Sequence, residues 1–451
     1  MALLVAGCFF MEFLDATIVA PAVPAIARDL AVPAVTVNVA ITAYVVTLAV
    51  LIPVSGWLSD RWGARLVFGG AIAVFTAASV GCALAADLAA LTSMRVVQGA
   101  GGAMMVPVGR LVVLRSTPKA DLLRAMAYLT WPALVAPVAA PALGGVLSSY
   151  ASWRWIFLVN VPLGLVALVL ARRLVPELRD PEVSALDWRG AVLVAVGAAA
   201  LVVGMDRMVA DDPGWPVVAT AVAAACLALV LAVRHLQRTA RPLLDLRVLR
   251  VATYRVSASS GSCFRAVVTA VPFLLALFLQ LGLGWNAAQA GLMLTPLFLG
   301  NLAIKPATTP LLRRWGIRRV MLASVVGSAV CLLGIAALQD STPLPAMLAL
   351  VTLTGVFRSV GFTSFVSVAF ADVEPGRMTS ANTLMSTLQE LAGGLGIAAG
   401  SLLVHLGDTV AGGAAPGFRF AFVALASVLL LPVAGAWRLN PAAGEQVTGP
   451  A

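Results

Sequence analysis

Residues 56–67 read GWLSDRWGARLV, and residues 309–320 of the same chain read TPLLRRWGIRRV. Six of the twelve aligned positions are identical: Leu58 and Leu311, Arg61 and Arg314, Trp62 and Trp315, Gly63 and Gly316, Arg65 and Arg318, Val67 and Val320. In both places a short arginine-bearing turn separates two apolar runs, each long enough to cross a ~30 Å hydrocarbon core. That is the form of a loop between two membrane-spanning helices. Its recurrence between the second and third predicted spans of each half predicts two parallel six-helix halves, an architecture known among transporters.

Working outward from these two turns, apolar runs recur from Leu3 almost to Trp437. They predict an all-α membrane protein of about fourteen spans, at 3–26, 38–60, 65–86, 89–113, 123–148, 153–173, 188–207, 215–234, 255–282, 287–311, 318–338, 344–367, 378–406 and 417–438. Composition agrees: 61% of residues are hydrophobic and 11% charged, against about 25% charged in soluble domains. The expected domains are an N-terminal six-helix half (1–173), an inserted helix pair with its connectors (174–254), a C-terminal six-helix half (255–438) and a polar tail (439–451).

The net charge of +10 would point to nucleic acid in a soluble protein. Here the basic residues lie in alternate short loops, which is an orientation signal. One set of loops carries Arg61/Arg65, Arg115/Lys119/Arg124, Arg172/Arg173/Arg179/Arg189, Arg234 through Arg255, Arg313/Arg314/Arg318/Arg319, Arg377 and Arg438; the other carries little beyond Arg28, Arg154, Arg207 and Arg419. This places both termini in the cytoplasm. No Lys or Arg precedes Arg28, so the first run lacks the charged start of a cleavable signal peptide and is expected to remain as a span. The five cysteines all fall in apolar runs without metal-ligand spacing and read as packing residues, with no metal expected.

Several motifs carry a resemblance. Leu14-Asp15-Ala16-Thr17-Ile18-Val19 lies in the first span, Arg95-Val96-Val97-Gln98-Gly99-Ala100-Gly101 in the fourth, and Trp153-Arg154-Trp155-Ile156-Phe157 with Asn160-Val161-Pro162 opens the sixth. With the 56–65 loop, these make the chain similar, over nearly its whole length, to the fourteen-helix drug:proton antiporters (EmrB/QacA-like) of the major facilitator superfamily, and especially to MdtD-like multidrug-type transporters. Two motifs depart from the pattern. In the fifth span Ala136, Ala140-Pro141 and Gly144-Gly145 stand where the family favours Gly, Gly-Pro and Gly-Gly, and in the first Ala20-Pro21 replaces Asn-Val. The resemblance implies a proton-driven, inner-membrane efflux carrier, monomeric, needing no cofactor.

Transport requires a two-state gate and charges within the membrane. Gly56, Asp60, Arg61, Gly63 and Arg65 suit the gate: a helix-end carboxylate can pair with the arginines, and the glycines permit close backbone approach. The second copy has Arg313 in place of Asp60 and is not expected to form the same lock. Ionisable residues inside spans are functional candidates by default. Asp15, with Arg95 as its partner, is the first proton-coupling candidate, followed by Glu390 and by Glu12, one turn from Asp15. A fixed Asp15–Arg95 structural pair is the alternative. Pro132, Pro137, Pro141, Gly144 and Gly145 suit bending and tight packing of the fifth span. Arg265, Lys305 and Arg358 lie inside the ninth, tenth and twelfth spans, offset by one carboxylate, Glu390. A cavity so biased would bind an organic anion rather than a lipophilic cation. Phe273, Phe278, Met293, Phe298 and Phe362 are candidate apolar walls for it.

The expected function is therefore multidrug-type antiport of small organic molecules by alternating access, with a preference for anions. An alternative is a dedicated exporter of a carboxylate or of a metal–carboxylate complex such as citrate. A channel or a membrane-embedded enzyme is a remote third class. No HExxH, GxSxG or phosphate-binding GxxxxGK[ST] stretch occurs, which argues against an enzyme or an ATP-driven pump.

Overall fold

The computed structural model describes residues 1–116, 122–177, 186–209, 214–239, 242–374, 377–411 and 413–439. These residues are helical, with no β-strand among them. Among the described residues thirteen long apolar helical runs can cross a membrane, and the helix Leu122–Tyr150 carries a shorter apolar run, Val135–Tyr150. Side chains of 114–134 lie outside the described set, as do the tail from 440 and residues 178–185. The roles expected of Arg115, Lys119, Arg124, Pro132 and Arg179 fall there.

The chain divides into two compact units, Met1–Leu244 and Asp245–Ala451. The first holds α1 (Ala2–Ile18), α2 (Val23–Asp29), α3 (Asn38–Trp62), α4 (Ala64–Ala83), α5 (Leu88–Ser116), α6 (Leu122–Tyr150), α7 (Trp155–Leu158), α8 (Asn160–Leu174), α9 (Trp188–Val209) and α10 (Trp215–Arg238). α1 and α2 form one span, broken by a 3-10 turn at Ala20–Ala22. The cause is Pro21 and Pro24, which lack the N–H a continuous helix needs. α3, α4, α5 and α8 pack around one apolar core that includes Phe9, Tyr44, Phe68 and Phe75. Lipid tails are as apolar as leucine, so burial alone cannot hold these helices together; small residues and close backbone packing do. A Cβ on Gly101 of α5 would stand 2.8 Å from the Phe75 nitrogen and 2.9 Å from the Ala71 oxygen on α4, and one on Gly144 of α6 would collide with the Ile18 carbonyl.

The second unit holds α11 (Ala252–Val256), α12 (Ser262–Leu277), α13 (Ala287–Ala303), α14 (Lys305–Trp315), α15 (Ile317–Ala336), α16 (Leu344–Ala371), α17 (Met378–Ala411), α18 (Ala414–Val428) and α19 (Leu430–Trp437). π-helical turns at Ser257–Gly261 and Phe278–Gly282 flank α12. The single helix expected over 287–311 is split at Ile304 into α13 and α14. Pro306 accounts for the break: it has no N–H to donate to the Leu302 carbonyl four residues back, so the helix cannot continue unbroken through it. α12 packs on α17, α13 on α16, and α16 on α15.

The sequence repeat is also a structural one. Gly63 ends α3 with φ +90°, and Gly316 ends α14 with φ +76°; that conformation is close to glycine-only. Arg65 Nε donates to the Val175 carbonyl just beyond α8 at 2.6 Å, and its counterpart Arg318 Nη2 donates to the Trp437 carbonyl at the end of α19 at 2.7 Å. Each turn is thus tied to the C-terminal end of a helix more than a hundred residues onward. Gly56 is exposed, and a Cβ there meets nothing within 4 Å in this arrangement. No close approach requires glycine at 56, and at 63 it is the backbone angle that does.

The helix pair α9–α10 packs against itself and, through α9, on α3. The end where α9 begins and α10 finishes is pinned by Asp187, which accepts from the N–H groups of Gly190 (3.0 Å) and Leu243 (3.1 Å) and bonds the His235 ring at 2.7 Å. Burial pushes the Asp187 carboxyl up, but the Gly190 N–H, the His235 ring and the Leu243 N–H outweigh it and hold it below the usual carboxylate range.

Candidate functional site

Two polar constellations stand out inside the helices, one in each unit. In the first unit, Asp15 of α1 and Arg95 of α5 are fully enclosed, at 0% and 1% exposure, and their side chains meet at 2.5 Å. Gln98, one turn after Arg95, accepts from Arg95 Nη1 at 2.7 Å and donates to the other Asp15 oxygen at 2.9 Å. Asn160, at the start of α8, donates to that same oxygen at 2.9 Å. Gln98 also donates to Ser79 Oγ on α4 at 2.8 Å, and the Ser79 hydroxyl donates to the Phe75 carbonyl at 2.9 Å. The Arg95 guanidinium lies 4.0 Å from the Tyr44 ring centre and 5.8 Å from that of Phe157. Six helices, α1, α3, α4, α5, α7 and α8, therefore meet around one ion pair.

In this buried pair the carboxylate is fully compensated, while Arg95 keeps Nε and Nη2 buried without a hydrogen-bond partner among the described residues. A carboxylate in low dielectric is costly unless charge and hydrogen bonds compensate it, and Asp15 has both. Glu12 lies one turn earlier, half-buried, and reaches α5 beside Gly102, whose Cβ would sit 3.6 Å from the Glu12 carboxyl carbon.

In the second unit the balance is cationic. Arg265 of α12 faces Glu390 of α17 at 3.6 Å, with 23% and 30% exposure, and stacks over Phe362 at 4.8 Å. Lys305, at the start of α14, donates to Thr363 Oγ1 at 3.1 Å. Arg358 of α16 stacks over Phe298 at 5.5 Å and lies within electrostatic reach of both Arg265 and Lys305. Of these three cations only Arg265 has a carboxylate partner among the described residues. Ser262, Arg265 and Thr269 are spaced to share one face of α12, and each has a buried polar atom without a hydrogen-bond partner among the described residues; so have Thr295 on α13 and Arg358 Nη1. Buried polar groups are seldom left so, and a cluster of them marks a surface that can accept a polar ligand. An apolar crevice lined by Val268, Val271, Leu297 and Leu332 opens beside Arg358. Of the five candidate wall residues, Phe298 and Phe362 lie against the guanidiniums, while Phe273, Phe278 and Met293 are core.

Pro137 is half-buried on α6, and Pro141, Gly144 and Gly145 are buried there. Arg61 is exposed and Asp60 half-buried at the end of α3. A third cluster joins Arg154 to Asp29 at 2.6 Å, with the Trp153 ring N–H on the same carboxylate at 3.1 Å; it links α2 to the turn before α7. Gln98 and Asn160 stood in the motifs that carry the resemblance but had no role of their own from sequence, and Ser79 was not singled out. The available signals were the i, i+3 spacing of Gln98 from Arg95 and the isolation of Asn160 as the one amide in Trp155–Leu174.

The comparisons with known proteins agree with this architecture. A family model described as Major Facilitator Superfamily matches residues 5–237 and 257–451. A protein of Escherichia coli named as multidrug resistance protein MdtD is 36% identical over 437 residues, covering 95% of this chain and 92% of its own. Its namesake in Klebsiella pneumoniae is 36% identical over 441 residues, with the same coverage. Among solved structures, a D-xylose–proton symporter superposes with a TM-score of 0.68 at 14% identity, over 99% of this chain and 98% of that one. A bacterial homologue of the human lysosomal transporter Spinster gives 0.66 at 15% identity, over 97% and 95%.

Proposed function

The chain belongs to the major facilitator superfamily, and from that premise we propose that it is a proton-coupled exporter of small organic anions, working by alternating access in the bacterial cytoplasmic membrane. It is a multi-pass membrane transporter of small molecules and not an enzyme. The anion preference rests on one observation: Arg265 pairs with Glu390, whereas Lys305 and Arg358 form no ion pair among the described residues, in a unit whose helices also present unsatisfied hydroxyls. Cations in low dielectric are costly until an anion joins them, so a bound carboxylate or phosphate would gain both charge and hydrogen bonds. The proton reading assigns Asp15 as the coupling carboxylate, with protonation releasing Arg95, and Glu390 or Glu12 as further carriers. Gly56, Asp60, Arg61, Gly63 and Arg65 are assigned to the gate, and the helix-6 residues Pro137, Pro141, Gly144 and Gly145 to helix bending. The carrier is read as a monomer, and its energy source is the proton gradient.

A second reading has its own support. The E. coli and K. pneumoniae relatives carry a multidrug resistance name, and a conventional multidrug antiporter would take lipophilic cations. Liposomes with an imposed pH gradient separate the two. Proton flux triggered by a tricarboxylate, and abolished in Asp15→Asn and Arg358→Ala, is the expected result. Flux triggered only by lipophilic cations would replace the anion reading with the multidrug one.

A further inference from the structure

The two copies of the repeated turn share a backbone but not a charge. In residues 56–67 the charged side chains are Asp60, Arg61 and Arg65; in residues 309–320 they are Arg313, Arg314, Arg318 and Arg319, with no acid. Arg318 is held in place by the Trp437 carbonyl at 2.7 Å and lies 5.4 Å from the Trp437 ring centre. That contact brings Arg438, the next residue along the chain, to the same end of the unit. Arg313, Arg314, Arg319 and Arg438 are exposed, and among the described residues none of these five arginines forms an ion pair. Two indoles flank them, Trp315 at 54% and Trp437 at 67% exposure.

We infer that the second copy of the turn is a binding surface for the headgroup of an anionic phospholipid. The turn joins α14 to α15, and Trp437 ends α19, so the cluster stands where helices leave the apolar layer. Exposed tryptophan at such a level sits among headgroups, with its ring toward the acyl chains and its N–H toward water. Guanidinium groups match phosphate oxygens in a two-pronged fashion. Several arginines directly beside a membrane span form an electrostatic site for anionic lipid, each contributing roughly fivefold in affinity. A bilayer lipid is favoured over free phosphate because the indoles add an apolar contact that a soluble ion cannot use. The loss of the carboxylate at the position of Asp60 is then a change of role: the first turn keeps an acid, and the second grips the bilayer.

The test uses the full-length protein in nanodiscs of phosphatidylcholine containing a minor share of phosphatidylglycerol, with retained lipid read by native mass spectrometry. The unaltered protein is expected to retain phosphatidylglycerol over phosphatidylcholine, increasingly so as salt is lowered. Arg313→Gln/Arg314→Gln/Arg319→Gln should weaken that retention on the order of 100-fold, and the triple Lys variant should keep most of it. Arg172→Gln/Arg173→Gln/Arg234→Gln removes equal charge from exposed positions on α8 and α10 and should leave it unchanged. Equal losses in the two Gln variants would reduce the effect to net charge and overturn the inference. So would displacement of the lipid by inorganic phosphate, or an unaltered protein that does not prefer phosphatidylglycerol.

Discussion

Asp15 divides its two oxygens among Arg95, Gln98 and Asn160, and this sets what substitution there should do. Removing Arg95 alone leaves an enclosed carboxylate without its counter-charge, a change that costs about 3–5 kcal/mol. Removing both charges leaves neutral groups that can still hydrogen-bond. Arg95→Met should therefore lower the unfolding temperature of detergent-purified protein well below that of Asp15→Asn/Arg95→Met. A double variant as unstable as the two single effects added together would mean that the pair is not energetically coupled. The charged members were legible in the sequence because a charge within a twenty-residue apolar run is conspicuous. Gln98, Asn160 and Ser79 were not, because neutral polar residues are ordinary in membrane helices and only the fold shows which ones converge. Arg265, Lys305 and Arg358 were legible for the same reason as Asp15, but the pairing of Arg265 with Glu390, across α12 and α17, was not.

At the scale of elements, the repeated turn separates two uses of glycine. Gly63 and Gly316 hold positive φ at the junctions α3–α4 and α14–α15, where a side chain costs about 1–3 kcal/mol. Gly56 lies within α3 with open space around its Cα, where alanine should gain about 0.5–1 kcal/mol of helix stability. Gly63→Ala and Gly316→Ala should each lower the unfolding temperature, and Gly56→Ala should hold or raise it. Transport assayed on the same samples then bears on the gate: activity lost in Gly56→Ala at unchanged stability would point to a close approach made only in another conformation. Unchanged activity would remove Gly56 from the gate. The turns themselves were readable from their Trp-Gly-x-Arg spacing. The anchoring of Arg65 and Arg318 on distant helix ends was not, because a carbonyl acceptor leaves no mark in side-chain sequence. The break between α13 and α14 was missed by hydropathy, which does not register the local backbone effect of Pro306.

For the molecule as a whole, the alternation of arginine-rich and arginine-poor loops argues that both termini are cytoplasmic. Green fluorescent protein fused after Ala451 should then fluoresce in a bacterial host, and alkaline phosphatase at the same place should be inactive; the reverse pattern would invert the topology and with it the direction assigned to transport. By itself the sequence determined the class of fold, the number of spans to within one, the twofold repeat and the charged residues within the membrane. These follow from quantities local to each segment: apolar length against bilayer thickness, loop charge, and the spacing of a few motif residues. Tertiary structure alone decided which of those charges are satisfied and which are not. Asp15 is completed by residues 80, 83 and 145 positions away, while its partner Arg95 and, in the second unit, Arg358 keep buried nitrogens without a hydrogen-bond partner among the described residues. In a low-dielectric interior the behaviour of a charge is set by its neighbours within a few ångströms, and helix packing, which no single segment encodes, selects those neighbours.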